Sequence, residues 1–321
     1  MKILVTPPVT EEQKVWLSDA AGEGAEFIFA PGAKGISEAD MADVDILVGN
    51  APHSLVRAGK QLKLVQLNSA GTEGYPEAVG EGCALANATG AYGLAISEHM
   101  LGMLLTLMKR LHQYRDQQKQ QLWQSRGTVS SIEGATVVVL GLGDIGGEFA
   151  RKVKMLGAYT VGVRRKDANK PDYIDELCLT GDLDSVLPRA DILAMALPGM
   201  AETKHILSRE RIALLKDGAI VINVGRGNAI DLDALADAVE ERGIRAGVDV
   251  TDPEPLPAGH RLWSMENVLI TPHVSGFFHL PETLNRIIRI AADNISRYRE
   301  GRAFRNIVDP ATGYRKNKYE S

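Results

Sequence analysis

Nine short apolar runs that do not alternate with polar residues recur along this chain: KILVTP from Lys2, DILVGN from Asp45, KLVQLN from Lys63, TVVVLG from Thr136, YTVGVR from Tyr159, DILAMALP from Asp191, AIVINVG from Ala219, AGVDV from Ala246 and NVLITP from Asn267. An unbroken run is what a strand covered on both faces needs, because a strand with one wet face alternates. Between the runs lie helical patterns, such as Leu284, Ile287, Ile288, Ala291, Ile295 and Tyr298 after Pro281, which share one helical face. Strand and helix in alternation dictate parallel βαβ units and an α/β fold.

Three of the strands precede a long helical stretch, Ile96 to Gln121, and six follow it, so a smaller N-terminal α/β unit and a larger second one are expected. The stretch around His99 to Arg115 is the expected connector. A length of 321 residues, 45% of them apolar, accommodates two domains of roughly 150 residues each.

Charge and cysteine usage exclude several classes of partner. The net charge of -5 and isoelectric point near 5.9 come from mixed signs, with no basic stripe for a phosphate backbone, so no nucleic-acid ligand is expected. Cys83 and Cys178 stand far apart with no metal-ligand spacing around them, which predicts two buried thiols, no disulfide and no metal site. The start MKILVTPPV lacks a signal-peptide core, and no stretch approaches the roughly 20 apolar residues of a membrane span, so a cytoplasmic protein without membrane contact is expected. The tail from Thr312 to Ser321 is polar.

The most informative turn follows the run TVVVL, which enters GLGDIG and then the helical pattern EFARKVKMLG. A strand, a glycine-rich turn and a helix in this order form a dinucleotide-binding fingerprint. Gly141 is read as the tight turn, Gly143 as the point of backbone approach to the pyrophosphate and Gly146 as the helix-to-strand contact; Leu142, Asp144 and Ile145 complete the candidate cofactor loop. At the end of the next strand, where an acid would bond the ribose hydroxyl of NAD, the sequence VGVRRKD places Arg164 and Arg165. A guanidinium forks onto a 2′-phosphate that an aspartate would repel, so NADP is the expected cofactor, with NAD possible.

Reduction of a 2-oxo acid needs a cation to hold the carboxylate and polarise the ketone, an acid to protonate the alkoxide, and a hydride donor. Arg226 in NVGRG, Glu254 in DVTDPEPLP and His273 in ITPHVSG each stand just past a strand, which puts all three at the carboxyl edge of one sheet. Gly225 and Gly227 are expected to permit a tight exposed turn around Arg226.

In this order behind GLGDIG, the motifs NVGRG, DVTDPEPLP and TPHVSG resemble the signatures of the D-isomer-specific 2-hydroxyacid dehydrogenase family, glyoxylate and hydroxypyruvate reductases in particular, from about Asn68 to the C-terminal helix. The resemblance implies that Arg226 grips the 2-oxo acid, that His273 is the general acid/base and that Glu254 supports the histidine. A carboxylate beside imidazole favours the imidazolium, so reduction is expected to decline as that histidine loses its proton. The resemblance also implies substrate contacts at Ala70 and Gly71 of NSAGTEG, and cofactor contacts at Pro198, Thr203, Val224, Gly225 and Asp249, the last beside the nicotinamide carboxamide. Departures from the family pattern are the VRR strand end, Gly199 and Met200 where LPLT-like residues are more frequent, and Thr251 where an aromatic often stands.

The same resemblance implies a Rossmann cofactor domain over residues 99–283, a smaller flavodoxin-like substrate domain formed by 1–98 and 284–321, and a homodimer built largely through the cofactor domain. Asn50, His53, Tyr75, Phe277 and Phe278 are candidates for the wall of the substrate pocket. Two other readings fit the same fold: a dinucleotide-sensing regulatory protein, and a dehydrogenase of another small acid such as formate or phosphite.

Overall fold

The computed structural model describes residues 1–166 and 169–309, so the polar tail 312–321 and Asp167 of VGVRRKD lie outside the described residues. The chain forms two compact units, one from Met1–Tyr92 with the segment that begins at Phe278, the other from Gly93–Phe277.

The first unit opens with β1 (Lys2–Val5), α1 (Glu11–Ala21), β2 (Glu26–Phe29), β3 (Ile46–Val48), α2 (His53–Ala58), β4 (Leu64–Gln66) and β5 (Ala84–Ala86). The strands form one parallel sheet in the order β2-β1-β3-β4-β5, the flavodoxin-like winding. Ile3, Leu4, Val5, Ile46, Leu47, Leu64 and Val65 are buried, as runs covered on both faces require. Helix α1 starts where Thr10 and Gln13 close a capping box.

The second unit contains α3 (Gly93–Met108), α4 (Leu111–Lys119), β6 (Thr136–Leu140), α5 (Asp144–Met155), β7 (Tyr159–Arg164), β8 (Glu176–Leu179), α6 (Leu183–Val186), β9 (Ile192–Met195), α7 (Arg209–Ala213), β10 (Ile220–Asn223), α8 (Leu232–Arg242), β11 (Arg245–Val248) and β12 (Val268–Ile270). Its seven strands are parallel in the order β12-β11-β10-β9-β6-β7-β8, a Rossmann sheet with one added strand, and the winding reverses between β6 and β9. The chain then returns to the first unit as α9 (Pro281–Arg299), with Pro281 in its first turn. Leu284, Ile287, Ile288, Ala291 and Ile295 are buried on its inner face, and the helix packs on α1.

Four details differ from the sequence reading. The expected three and six strands are five and seven, because β2, β5 and β8 lie at sheet edges or span three residues and carry no long apolar run. The expected single helix from Ile96 to Gln121 breaks into α3 and α4 at Arg110, whose φ of 57° is left-handed. The two cysteines are half-buried rather than buried, and desolvation pushes the Cys83 thiol up to about 11. Gly225 and Gly227 are buried rather than exposed, for the reason given below.

Among the described residues, no helix is long and apolar enough to cross a membrane, and no group of His, Cys, Asp and Glu is arranged to hold a metal ion.

Candidate active site

The glycine-rich turn is built by close packing. Gly141 has φ +97°, and a Cβ there would meet the carbonyl oxygen of Ala196 at 2.8 Å, where the loop after β9 passes. A Cβ on Gly146 would stand 1.9 Å from the Gly141 carbonyl oxygen, so only glycine lets α5 begin this close to β6. Gly143 differs, since a Cβ there would meet nothing within 4 Å. The open space lies at the start of α5, where the first-turn amides and the helix dipole favour an anion, so the turn fits a dinucleotide diphosphate. Leu142 and Ile145 flank this opening half-buried, while the Asp144 carboxylate accepts from the Gly93 amide at 2.9 Å and so caps α3. Arg164 closes β7 half-buried, and Arg165 is exposed beside it.

Beyond β9, Thr203 organises its own loop: its hydroxyl lies 2.8 Å from the Pro198 carbonyl and accepts from the Met200 amide at 2.9 Å, while Pro198 is exposed. Beyond β10, the buried Asn223 pins the turn that carries Arg226. Its amide nitrogen donates to the Arg226 carbonyl at 2.9 Å and its oxygen accepts from the Gly225 amide at 3.0 Å. Neither flanking glycine has positive φ. Glycine is required instead because a Cβ on Gly225 would stand 2.4 Å from the Leu197 carbonyl oxygen, and one on Gly227 would stand 1.9 Å from the Thr251 carbonyl carbon. Val224 is buried at the strand end, and the Arg226 side chain passes over Gly199, where a Cβ would meet its Cγ at 3.0 Å.

The loops after β11 and β12 bring Glu254 and His273 together. His273 Nδ1 lies 2.7 Å from Glu254 Oε1, with both side chains about two-fifths exposed. With Nδ1–H donating to the carboxylate, Nε2 is left to exchange a proton with a ligand. Thr251 donates to the Pro253 carbonyl at 2.8 Å, which ties down the loop bearing Glu254 and gives this position a holding role.

Asp249 is committed to the histidine loop. Its Oδ1 accepts from Thr271 Oγ1 at 2.5 Å and from the Val274 amide at 3.0 Å, its Oδ2 accepts from the Ser275 amide at 3.1 Å, and its carbonyl accepts from the His273 amide at 2.8 Å. Burial raises the Asp249 carboxyl, but the bonds from Ser275, Thr271 and the amides of Val274 and Ser275 together outweigh it and hold the group below its ordinary value. His99 of α3 completes the chain, with Nε2 at 3.1 Å from Thr271 Oγ1. Because the Thr271 hydrogen is directed at Asp249, His99 is the donor in that contact.

Asn223, Thr271 and His99 escaped the sequence reading. A lone Asn ending the run IVIN and a Thr ahead of Pro272 are visible signals once the strands are placed, whereas His99 lies 172 residues from Thr271 and only the fold joins them.

In the first unit, the loop after β4 is knit by reciprocal bonds: the Asn50 amide donates to Asn68 Oδ1 at 2.6 Å and the Asn68 amide to Asn50 Oδ1 at 3.0 Å. The carbonyls of Ala70 and Gly71 accept from Asn87 and Ser69, whereas their N–H groups meet no acceptor among the described residues. Tyr75, a candidate for the pocket wall, is buried with its hydroxyl donating to the Ala51 carbonyl, and His53 packs edge-on against it. Phe278 is half-buried. Phe277 belongs to the second unit, is 56% exposed and lies 6.0 Å from the His273 ring.

Comparison with known proteins gives a consistent result. Residues 101–275 match the profile of the D-isomer specific 2-hydroxyacid dehydrogenase NAD binding domain. A glyoxylate/hydroxypyruvate reductase B from Erwinia tasmaniensis is 31% identical over 67% of this chain and 68% of its own. A family protein from Aeromonas salmonicida superposes with TM-score 0.84 at 30% identity, covering 96% of this chain and 99% of its own. One from Xanthobacter autotrophicus, solved with NADPH and MES, superposes with TM-score 0.82 at 28% identity, covering 98% and 99%. With the Rossmann sheet, its glycine-rich turn and the Glu254–His273 pair on one strand edge, these matches mean that the chain belongs to the D-isomer specific 2-hydroxyacid dehydrogenase family.

Proposed function

We propose that the protein reduces a small 2-oxo acid of the glyoxylate or hydroxypyruvate type to the D-2-hydroxy acid, with NADPH as the preferred reductant. The observation that carries the reading is the Glu254–His273 pair at 2.7 Å, on the same strand edge as the Arg226 turn. When bound, the nicotinamide supplies the hydride. Arg226 holds the substrate carboxylate and polarises the ketone, His273 delivers a proton from Nε2 to the forming alkoxide, and Glu254 holds the imidazole through Nδ1 and stabilises its charged form. Asp249, through the bonds to Thr271, Val274 and Ser275, fixes the loop on which His273 stands.

The unit formed by the N-terminal residues serves as the substrate domain, and the unaccepted amides of Ala70 and Gly71 are its candidate donors to an anion. Preference for NADPH is supported by Arg164 and Arg165 at the end of β7 and by the NADPH bound to the Xanthobacter relative. The substrate class is supported by the Erwinia reductase. A homodimer is supported by the exposed apolar side chains of Leu122, Val129 and the fully exposed Trp123.

Turnover of glyoxylate, hydroxypyruvate, pyruvate and phenylpyruvate, followed by NADPH and NADH absorbance with the wild type and His273→Ala, tests the reading. The expected result is higher kcat/KM with NADPH and a loss of about 10²–10⁴-fold in the variant. No turnover of any 2-oxo acid, or turnover that His273→Ala leaves intact, overturns it.

A further inference from the structure

His273 holds a backbone conformation unusual for its residue type. Its φ is 52°, left-handed for a residue with a Cβ, and such a conformation persists only where surrounding contacts over-determine it. The Thr271 carbonyl accepts from the His273 amide at 3.0 Å, and the other contacts come from Asp249. Its carbonyl accepts from the same amide at 2.8 Å, and its carboxylate accepts from the amides of Val274 at 3.0 Å and Ser275 at 3.1 Å.

The bonds to Val274 and Ser275 depend on the orientation of the Asp249 carboxylate. That side chain is fully buried, and among the described residues no Lys or Arg lies within ion-pair distance of it; the basic group that does is His99, with Nε2 3.8 Å from Asp249 Oδ1. Thr271 Oγ1, 2.5 Å from Oδ1, is its remaining side-chain support from the β12 loop. A threonine hydroxyl has one hydrogen and two lone pairs. It can give that hydrogen to Asp249 only while its other neighbour, His99 Nε2 at 3.1 Å, is itself a donor. A bare Nε2 would compete for the same hydrogen, and Asp249 would lose a bond in a site closed to water.

His99 is well placed to supply the donor. It sits within α3 among Ile96, Met100 and Met103, which are buried where the helix packs on β10, β11 and β12. The support of the His273 turn therefore begins on a rigid element and not on another loop.

We propose that His99 is a positioning residue for the reduction: its Nε2–H, acting through Thr271 and Asp249, holds the left-handed turn that sets His273 against Glu254. The inference rests on the reading of His273 as the proton donor. The Arg226 turn is fixed separately by Asn223, so loss of His99 acts on kcat and leaves the hold on the substrate carboxylate in place.

The test is steady-state reduction of glyoxylate and hydroxypyruvate with NADPH by the wild type, His273→Ala, His99→Leu, His99→Gln, Thr271→Val and the double variant His99→Leu with Thr271→Val, each checked for folding by circular dichroism. The expected result for His99→Leu is a kcat about tenfold lower with KM for the acid changed by less than about twofold. His99→Gln, whose amide nitrogen can donate from the Nε2 position, should recover most of the rate. The double variant should be no slower than the slower single one, because both substitutions cut the same chain. Wild-type kcat in His99→Leu, with activity still lost in His273→Ala, overturns the proposal and leaves the proposed function standing. Equal losses in His99→Leu and His99→Gln, a loss confined to KM, or losses that multiply in the double variant also overturn it. Turnover that His273→Ala leaves intact, or no turnover by the wild type, overturns the proposed function and this inference with it. Should His99→Leu not fold, an unchanged kcat in Thr271→Val overturns the proposal.

Discussion

Replacing Gly227 by alanine should damage catalysis through geometry alone. The new Cβ would stand 1.9 Å from the Thr251 carbonyl carbon, 2.0 Å from its oxygen and 2.5 Å from its Cα, all backbone atoms that cannot rotate away. To reach an ordinary contact, one of the two chain segments must retreat by about 1.5 Å, which displaces the Arg226 turn relative to the loop that carries Glu254. Misplacement on the order of 1 Å in a catalytic constellation lowers the rate about 10²-fold, equivalent to about 2.7 kcal/mol. Overpacking should also reduce stability by about 1–3 kcal/mol, lowering Tm by about 2–4 °C for each kcal/mol. The assay is kcat/KM for 2-oxo acid reduction well below Tm, with circular dichroism to establish that the variant is folded. A variant with wild-type kcat/KM and Tm would refute the claim that Gly227 is the contact that sets the spacing of these loops.

Three further outcomes are expected. Gly143→Ala should leave Tm unchanged or slightly raised, since φ is -76° and the Cβ enters open space, yet it should raise the dissociation constant for NADPH, measured by fluorescence titration. Asp249→Asn should lose about 2–3 kcal/mol in urea unfolding at pH 7, because the amide group turns a donor toward the Ser275 N–H. The folded-state carboxyl of Asp249 lies below its ordinary value, so its stabilisation is present above that value and disappears as pH falls through the folded one; the gap between variant and wild type should therefore narrow below about pH 4. Light scattering should give twice the chain mass for the wild type and a weakened dimer for Trp123→Ser; a monomeric wild type would refute the homodimer.

The α/β class was legible because parallel strands buried on both faces leave continuous apolar runs, and nine of the twelve strands have one. The other three are edge or three-residue strands whose side chains do less burying: β2 reads EFIF and β8 reads ELCL, each with a charged first residue. The candidate acid/base pair was legible because Glu254 and His273 both follow strand ends, and adjacent parallel strands bring their ends together whatever their separation in sequence. Side-chain direction was not legible. Tyr75 in the sequence is as suited to a pocket wall as to a core, and only the position of the Ala51 carbonyl decides that its hydroxyl points inward.

The same glycine-rich spelling conceals different physical demands, and this limits what a motif can say. Gly141 is required by a left-handed turn, Gly146 by a carbonyl that a Cβ would strike, and Gly143 by neither, since its surroundings are empty. At Gly143 the fold itself makes no demand for glycine, whereas contacts of 1.9 Å are demands made by the fold. NVGRG belongs to the second kind: its glycines let Leu197 and Thr251 close against the turn, so the position of Arg226 is set by backbone contacts on both sides, as that of His273 is set by Asp249. Both candidate catalytic side chains thus stand on loops that are fixed from behind.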